Sequence, residues 1–238
     1  MPVCTSEHKE KNIGITFHKV DSKIDQGPII KKHLVSIDYQ KGLLHTYKQL
    51  YLSDESINFF KNRYFCIPLL NMKILLTGGA GFIGSHTAVE LVNEGYEPII
   101  IDDFRNSKSF VIENVEKIIG RKVVFHCTDI GDQEKISSII KQEKPVGIIH
   151  FAADKAVNES VKNPLKYYHN NVGNLIKLLS VIDKHNIDSF IFSSSCTVYG
   201  SPSFIPVNEK TPIQPAFSPY GYTKQVGEKI LTDFFKTK

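Results

Sequence analysis

Residues 72–84 read M-K-I-L-L-T-G-G-A-G-F-I-G, and few arrangements of a polypeptide accommodate that run. The apolar stretch 72–76 has the length and composition of a buried strand, and Ser85-His86-Thr87-Ala88-Val89-Glu90-Leu91-Val92 continues at helical spacing. The glycines therefore fall in a strand-to-helix turn. Gly78 suits a tight turn, Gly81 lets the backbone approach a pyrophosphate, and Gly84 lets the helix pack closely; Phe82 and Ile83 lie between the last two. A helix N-terminus at this point offers N–H groups to phosphate oxygens. Ordinary turns also use glycine, so the next strand matters. The run 98–101 is apolar and ends in Asp102, 18 residues after Gly84, close to the spacing of roughly 20 at which a carboxylate meets the adenine ribose of a dinucleotide.

Strand-like runs then recur at 122–129, 147–153 and 189–195, separated by helical stretches near 107–119, 132–143 and 164–186. Five apolar strands with intervening helices predict an α/β fold, a doubly wound parallel sheet of Rossmann-like type. A net charge of +4, with both signs spread along the chain, does not describe a nucleic-acid surface. The four cysteines, Cys4, Cys66, Cys127 and Cys196, form no C-x-x-C pair and have no histidine at metal spacing, so no metal is expected. The N-terminus lacks the apolar core of a signal peptide and no run of about 18 apolar residues occurs, so neither secretion nor membrane association is expected. These features together point to a reduced, cytoplasmic setting.

Two further places carry groups suited to chemistry. In Ser218-Pro219-Tyr220-Gly221-Tyr222-Thr223-Lys224, Tyr220 and Lys224 are four apart, on one face of a helix. A phenol of reference pKa about 10 becomes a usable base when an ammonium stabilises its phenolate, and that is the expectation for this pair. Ser193-Ser194-Ser195 ends a strand, where one hydroxyl is placed to bond a substrate hydroxyl, although polar residues also simply end strands. Asp129, at the end of the third strand, either reaches the adenine or caps the following helix.

The segments T-G-G-A-G-F-I-G-S-H-T, H-F-A-A-D-K-A-V-N-E-S-V, P-L-K-Y-Y-H-N-N-V, F-I-F-S-S-S-C-T-V-Y-G and S-P-Y-G-Y-T-K together resemble the UDP-glucose 4-epimerase branch of the extended short-chain dehydrogenase/reductase family. The resemblance runs from Met72 to the end of the chain. It implies NAD as cofactor and a UDP-sugar as substrate, with Tyr220 as catalytic base, Lys224 holding cofactor ribose and phenol, and Ser195 bonding the sugar hydroxyl beside Thr197. By the same resemblance Asn106, Ser107, Asp129, Ile130, Phe151, Ala152, Ala153, Lys155 and Asn171 line the cofactor cleft together with the glycine turn and Asp102. Related sugar dehydratases and decarboxylases place an acid just after the serine triplet. Here that stretch is Cys196-Thr197-Val198, which favours epimerisation. Asp154 puts a carboxylate in the cleft where relatives often have an apolar residue. The resembled family continues beyond the position of Lys238 into a domain that grips the substrate nucleotide, so 72–238 reads as an incomplete NAD-binding domain with little turnover expected, and a homodimer or association through exposed edges is expected.

Upstream, residues 13–20 and 28–37 alternate as two strands of a hairpin, and 42–51 and 56–65 read as short helices. The segment H-K-V-D-S-K-I-D-Q-G-P-I-I, with His18 seven residues before Asp25, is similar to the distal part of a folate-dependent formyltransferase domain over about 50 residues. That resemblance implies a proton-transfer role for Asp25. The family's formyl-folate site has no counterpart in the ten residues before Lys11, so 1–71 is read as a formyltransferase-like fragment without formyl transfer, joined to the second unit at 66–71.

Overall fold

The computed structural model describes residues 12–17, 31–36, 72–208 and 210–236; the helices expected at 42–51 and 56–65, His18 and Asp25 lie outside them. In the N-terminal part, β1 (Asn12–Phe17) pairs antiparallel with β2 (Lys31–Ser36), Asn12 opposite Ser36 and Phe17 opposite Lys31. Residues 18–20, 28–30 and 37 of the expected strands lie outside the described residues.

From residue 72 onward strands and helices alternate: β3 (Lys73–Thr77), α1 (Phe82–Asn93), β4 (Glu97–Asp102), α2 (Phe110–Ile119), β5 (Val124–Cys127), α3 (Gln133–Glu143) and β6 (Gly147–His150). Then come α4 (Val157–Lys162), α5 (Pro164–Tyr167), a π-helical turn (Tyr168–Gly173), α6 (Asn174–Lys184), β7 (Phe190–Phe192), a 3-10 turn (Cys196–Tyr199) and α7 (Pro219–Lys236). The sheet is parallel throughout, in the order β5-β4-β3-β6-β7. Strand order reverses between β3 and β6, so a crevice opens there at the carboxyl ends of the strands, where open α/β sheets hold their ligands.

Each central strand is apolar on both faces because each face is covered. Leu75, Ile99, Ile101 and Ile148 pack against Ile136, Ile139 and Ile140 of α3, Leu178 and Ile182 of α6, and Leu231 and Phe235 of α7. Ile74, Leu76, Ile100 and Ile149 pack against Ala88 and Leu91 of α1 and Ile112 and Val115 of α2. This is the two-layer cover of a doubly wound sheet.

The structure corrects the element boundaries. The single helix expected at 164–186 is three pieces, with Pro164 at the start of α5 and the widened turn at Tyr168–Gly173 before α6. Helix α4 was not expected, since V-N-E-S-V-K carries too few apolar residues to show a period. Asp132, and not Asp129, caps α3, its side chain accepting from Lys135 N. Among the described residues no helix is long and apolar enough to cross a membrane.

Candidate active site

The glycine turn is held from three sides. Gly78 takes φ +69, and a Cβ there would stand 2.7 Å from Ala152 N, so the loop after β6 packs directly on the turn. A Cβ on Gly84 would stand 2.4 Å from Gly78 O and 2.6 Å from Gly79 Cα, so α1 approaches its own preceding turn to backbone contact. Gly81, the N-cap of α1, makes no side-chain cap bond, and a Cβ there would meet only Gly78 O at 3.1 Å. The first N–H groups of an α-helix have no intrahelical partner, and an uncapped, uncrowded N-terminus suits an anion.

Asp102 ties this turn to the loop after β4. Its Oδ2 accepts from Ala80 N (3.1 Å), and its Oδ1 accepts from Phe104 N (2.9 Å) and Ser107 Oγ (2.7 Å). Arg105 lies beside it, pairing with Asp103 (2.6 Å) and Asp129 (2.7 Å) and donating to Asn170 Oδ1 (2.6 Å). Asp129 also accepts from Gly131 N (2.7 Å) and Asn174 Nδ2 (3.2 Å). Asn106 donates to Asp154 Oδ1 (3.0 Å). Asn171 is buried and brackets the Asp154 backbone, accepting from its N–H and donating to its carbonyl, both at 2.8 Å. Phe151, Ala152 and Ala153 are half-buried, Lys155 is exposed, and Ile130 lies within the core. Phe82 is exposed with its ring edge-on to His86, and Ile83 packs partly against the core.

Helix α7 begins where Ser218 accepts Gly221 N (3.1 Å) and Pro219 occupies the first turn, which sets Tyr220 at the helix start beside the triplet that follows β7. The three serines then act separately. Lys224 Nζ donates to Ser193 O (2.7 Å), Ser194 Oγ donates to Glu228 Oε1 (2.5 Å), and the Ser195 hydroxyl hydrogen-bonds the Tyr220 phenol. Thr197 donates to Ser195 Oγ through its hydroxyl (3.0 Å) and its N–H (3.3 Å), fixing that hydroxyl. Tyr167 packs edge-on to Tyr220 with ring centres 6.5 Å apart.

The electrostatics correct one expectation. The Tyr220 phenol is pushed above its ordinary value, burial outweighing the Ser195 hydrogen bond, and the ammonium of Lys224 is not among the influences on it. The reason is geometric. Lys224 Nζ is turned to the Ser193 carbonyl and stands 4.7 Å from the centre of the Phe192 ring. Burial pushes Lys224 down to about 8, with the Glu228 carboxylate opposing. His150 stacks between Phe190 and Phe192, bonds Thr77 Oγ1 at 2.7 Å, and is pushed down to about 3 by burial and then by the Lys224 charge; it is neutral at neutral pH.

Between the ordinary lysine value of 10.5 and about 8, the unfolded chain holds a proton on Lys224 that the folded chain releases. The proton-binding difference makes stability rise with pH across that window. Comparing wild type with Lys224→Met by chemical unfolding at pH 7.5 and 10.5 is expected to show the rise, about 3 kcal/mol at most, in wild type alone. Equal pH dependence in both would show that Lys224 is not desolvated.

Glu228 is a site residue that the sequence reading did not single out. The available signal was its position four after Lys224, which places both charges on one helix face under the serine triplet.

The parallel sheet, the glycine turn and the serine–tyrosine–lysine cluster define an extended short-chain dehydrogenase/reductase. The family model described as GDP-mannose 4,6 dehydratase matches residues 75–238, and the chain belongs to that family. It is 46% identical over 161 residues to a UDP-glucose 4-epimerase of Dictyostelium discoideum, covering 68% of this chain and 46% of that protein. The corresponding enzyme of Bacillus subtilis is 45% identical over 162 residues, with 68% and 48% covered. Among solved structures, UDP-glucose 4-epimerase from Bifidobacterium longum in complex with NAD+ and UDP superposes with a TM-score of 0.67 at 43% identity, covering 68% of this chain and 48% of that one. The chain thus spans about half the length of the curated relatives it matches.

Proposed function

We propose that this chain forms the cofactor-binding and proton-transfer part of an NAD-dependent isomerase acting at C4 of UDP-glucose and UDP-galactose. The observation that carries the reading is the packing of the start of α7, which holds Tyr220, on the turn at the carboxyl end of β7, where a Cβ on Gly221 would stand 3.3 Å from Thr197 O, Thr197 fixes the Ser195 hydroxyl, and no carboxylate follows the triplet. A phenol bonded to a fixed hydroxyl beside a buried lysine is suited to taking and returning one hydroxyl proton. An acid on that turn, as elimination chemistry would use, is absent from Cys196-Thr197-Val198.

The residues present fit NAD. The uncrowded Gly81 position would take the pyrophosphate, the backbone-to-backbone contact of Gly84 with the turn would bring the α1 N-terminus to it, and Asp102 would meet the ribose. When bound, NAD supplies a reversible acceptor for the hydride at C4 of the sugar. Tyr220 takes the proton of the C4 hydroxyl and returns it after the 4-keto sugar has presented its other face. Ser195 orients that hydroxyl and the phenol together. Lys224, one helical turn away, stands buried beside the site with its ammonium on the Ser193 carbonyl.

Cofactor choice follows from charge. Asp102, Asp103 and Asp129 cluster at the ribose end, and Arg105 is already committed to two of them. Among the described residues, no cation at the ribose end is left to receive a 2′-phosphate, which the carboxylates repel. Calorimetric titration is expected to show NAD binding at least about 10-fold tighter than NADP, a difference of roughly 1.4 kcal/mol. Equal affinity for both would overturn the assignment.

A further inference from the structure

Asp154 is 2% exposed, and its Oδ2 is buried without a hydrogen-bond partner among the described residues. Its Oδ1 is satisfied by Asn106, and its backbone is clamped on both sides by Asn171. A buried carboxylate oxygen left without a donor is costly, so a fold that keeps one there has a use for it or a water on it. The position is informative. Asn106 lies on the loop after β4 and Asp154 on the loop after β6, and these two strands flank β3 in the sheet. Their hydrogen bond therefore crosses over the end of β3, where the glycine turn begins. Ala152, two residues before Asp154, is the residue whose backbone touches Gly78. The Asp154 charge is felt by Arg105, Lys166 and Tyr167, the last packed on Tyr220.

We propose that Asp154 is a further cofactor-binding residue, whose buried, unpartnered carboxylate oxygen accepts a hydrogen bond from a donor of the bound dinucleotide as it threads the crevice between the loops after β4 and β6. This rests on the NAD reading above. The chemistry restricts the partner: a pyrophosphate offers no donor and is repelled by a carboxylate, whereas ribose hydroxyls and the carboxamide offer donors that a charged acceptor bonds strongly.

Asp154→Asn keeps the shape and the bond from Asn106 but turns the open acceptor into a donor, while Asp154→Leu removes the buried charge. The test is calorimetric titration of the full chain with NAD+, paired with the thermal midpoint of each cofactor-free protein. Both variants are expected to bind NAD+ about 10-fold or more weakly, as loss of a hydrogen bond to a charged group implies, with a cofactor-free midpoint equal to or above wild type because a buried carboxylate oxygen without a donor has gone. Wild-type affinity in the variants would assign the oxygen to a water and overturn the proposal. Weaker binding together with a lowered cofactor-free midpoint would make Asp154 a scaffold residue and overturn it as well. Failure of the wild type itself to bind NAD+ would bring down the cofactor reading, an outcome visible without any variant.

Discussion

Replacement of Tyr220 by phenylalanine is expected to lower turnover of a UDP-sugar by about 10³-fold while leaving NAD affinity within about 3-fold of wild type. The substitution removes one oxygen from a half-buried side chain whose ring remains packed edge-on against Tyr167. The Ser195 hydroxyl loses its partner but keeps the two bonds from Thr197, so the turn after β7 stays formed. What disappears is the phenol oxygen to which the proposed reading assigns the C4 hydroxyl proton; among the described residues at this point, Lys224 is engaged with the Ser193 carbonyl and Ser195 is not a base near neutral pH. A steady-state assay paired with an NAD titration separates the two effects. Turnover surviving at wild-type rates would remove Tyr220 as the base, and a matching loss of NAD affinity would make it a binding residue.

Gly84→Ala is expected to have the largest effect on the fold and on cofactor binding together. The new methyl would stand 2.4 Å from Gly78 O and 2.6 Å from Gly79 Cα, and both are backbone atoms of a turn that Ala152 blocks from behind. No rotamer change relieves that contact; α1 must move away or the turn must open. Overpacking of this kind costs about 3 kcal/mol. The same displacement moves the helix N-terminus away from its anion, with NAD affinity falling about 100-fold. Gly173→Ala is the matched control. It lies in helical backbone with nothing nearer than 3.8 Å to a new Cβ, and is expected to be neutral or stabilising by up to about 1 kcal/mol. Thermal unfolding and NAD titration of both variants check the contrast, and a Gly84→Ala protein indistinguishable from Gly173→Ala would contradict the packing described for the turn.

The sheet and its two covered faces were legible because buried parallel strands are apolar through their middles, as in K-I-L-L-T and E-P-I-I-I-D. Strand ends were read too long, since runs such as H-F-A-A leave the sheet after His150 while remaining apolar, their residues packing on the glycine turn. The breaks between 157 and 174 were not legible. A short polar helix and a π-helical turn follow tertiary contacts, above all the Asn171 side chain reaching the Asp154 backbone and Thr223 Oγ1. In the site, the four-residue spacing of Tyr220 and Lys224 put both on one face of the helix that is α7. It did not disclose that the ammonium bonds Ser193 and that Glu228 balances it, because both depend on how deeply α7 sits against β7.

Proton and hydride chemistry at C4 is the central claim, and the most direct measurement follows conversion of UDP-galactose to UDP-glucose by the NAD-loaded chain, wild type and Tyr220→Phe side by side. The expected result is conversion that needs NAD and is lost in the variant. Conversion that proceeds without NAD, or at equal rates in both proteins, would contradict it.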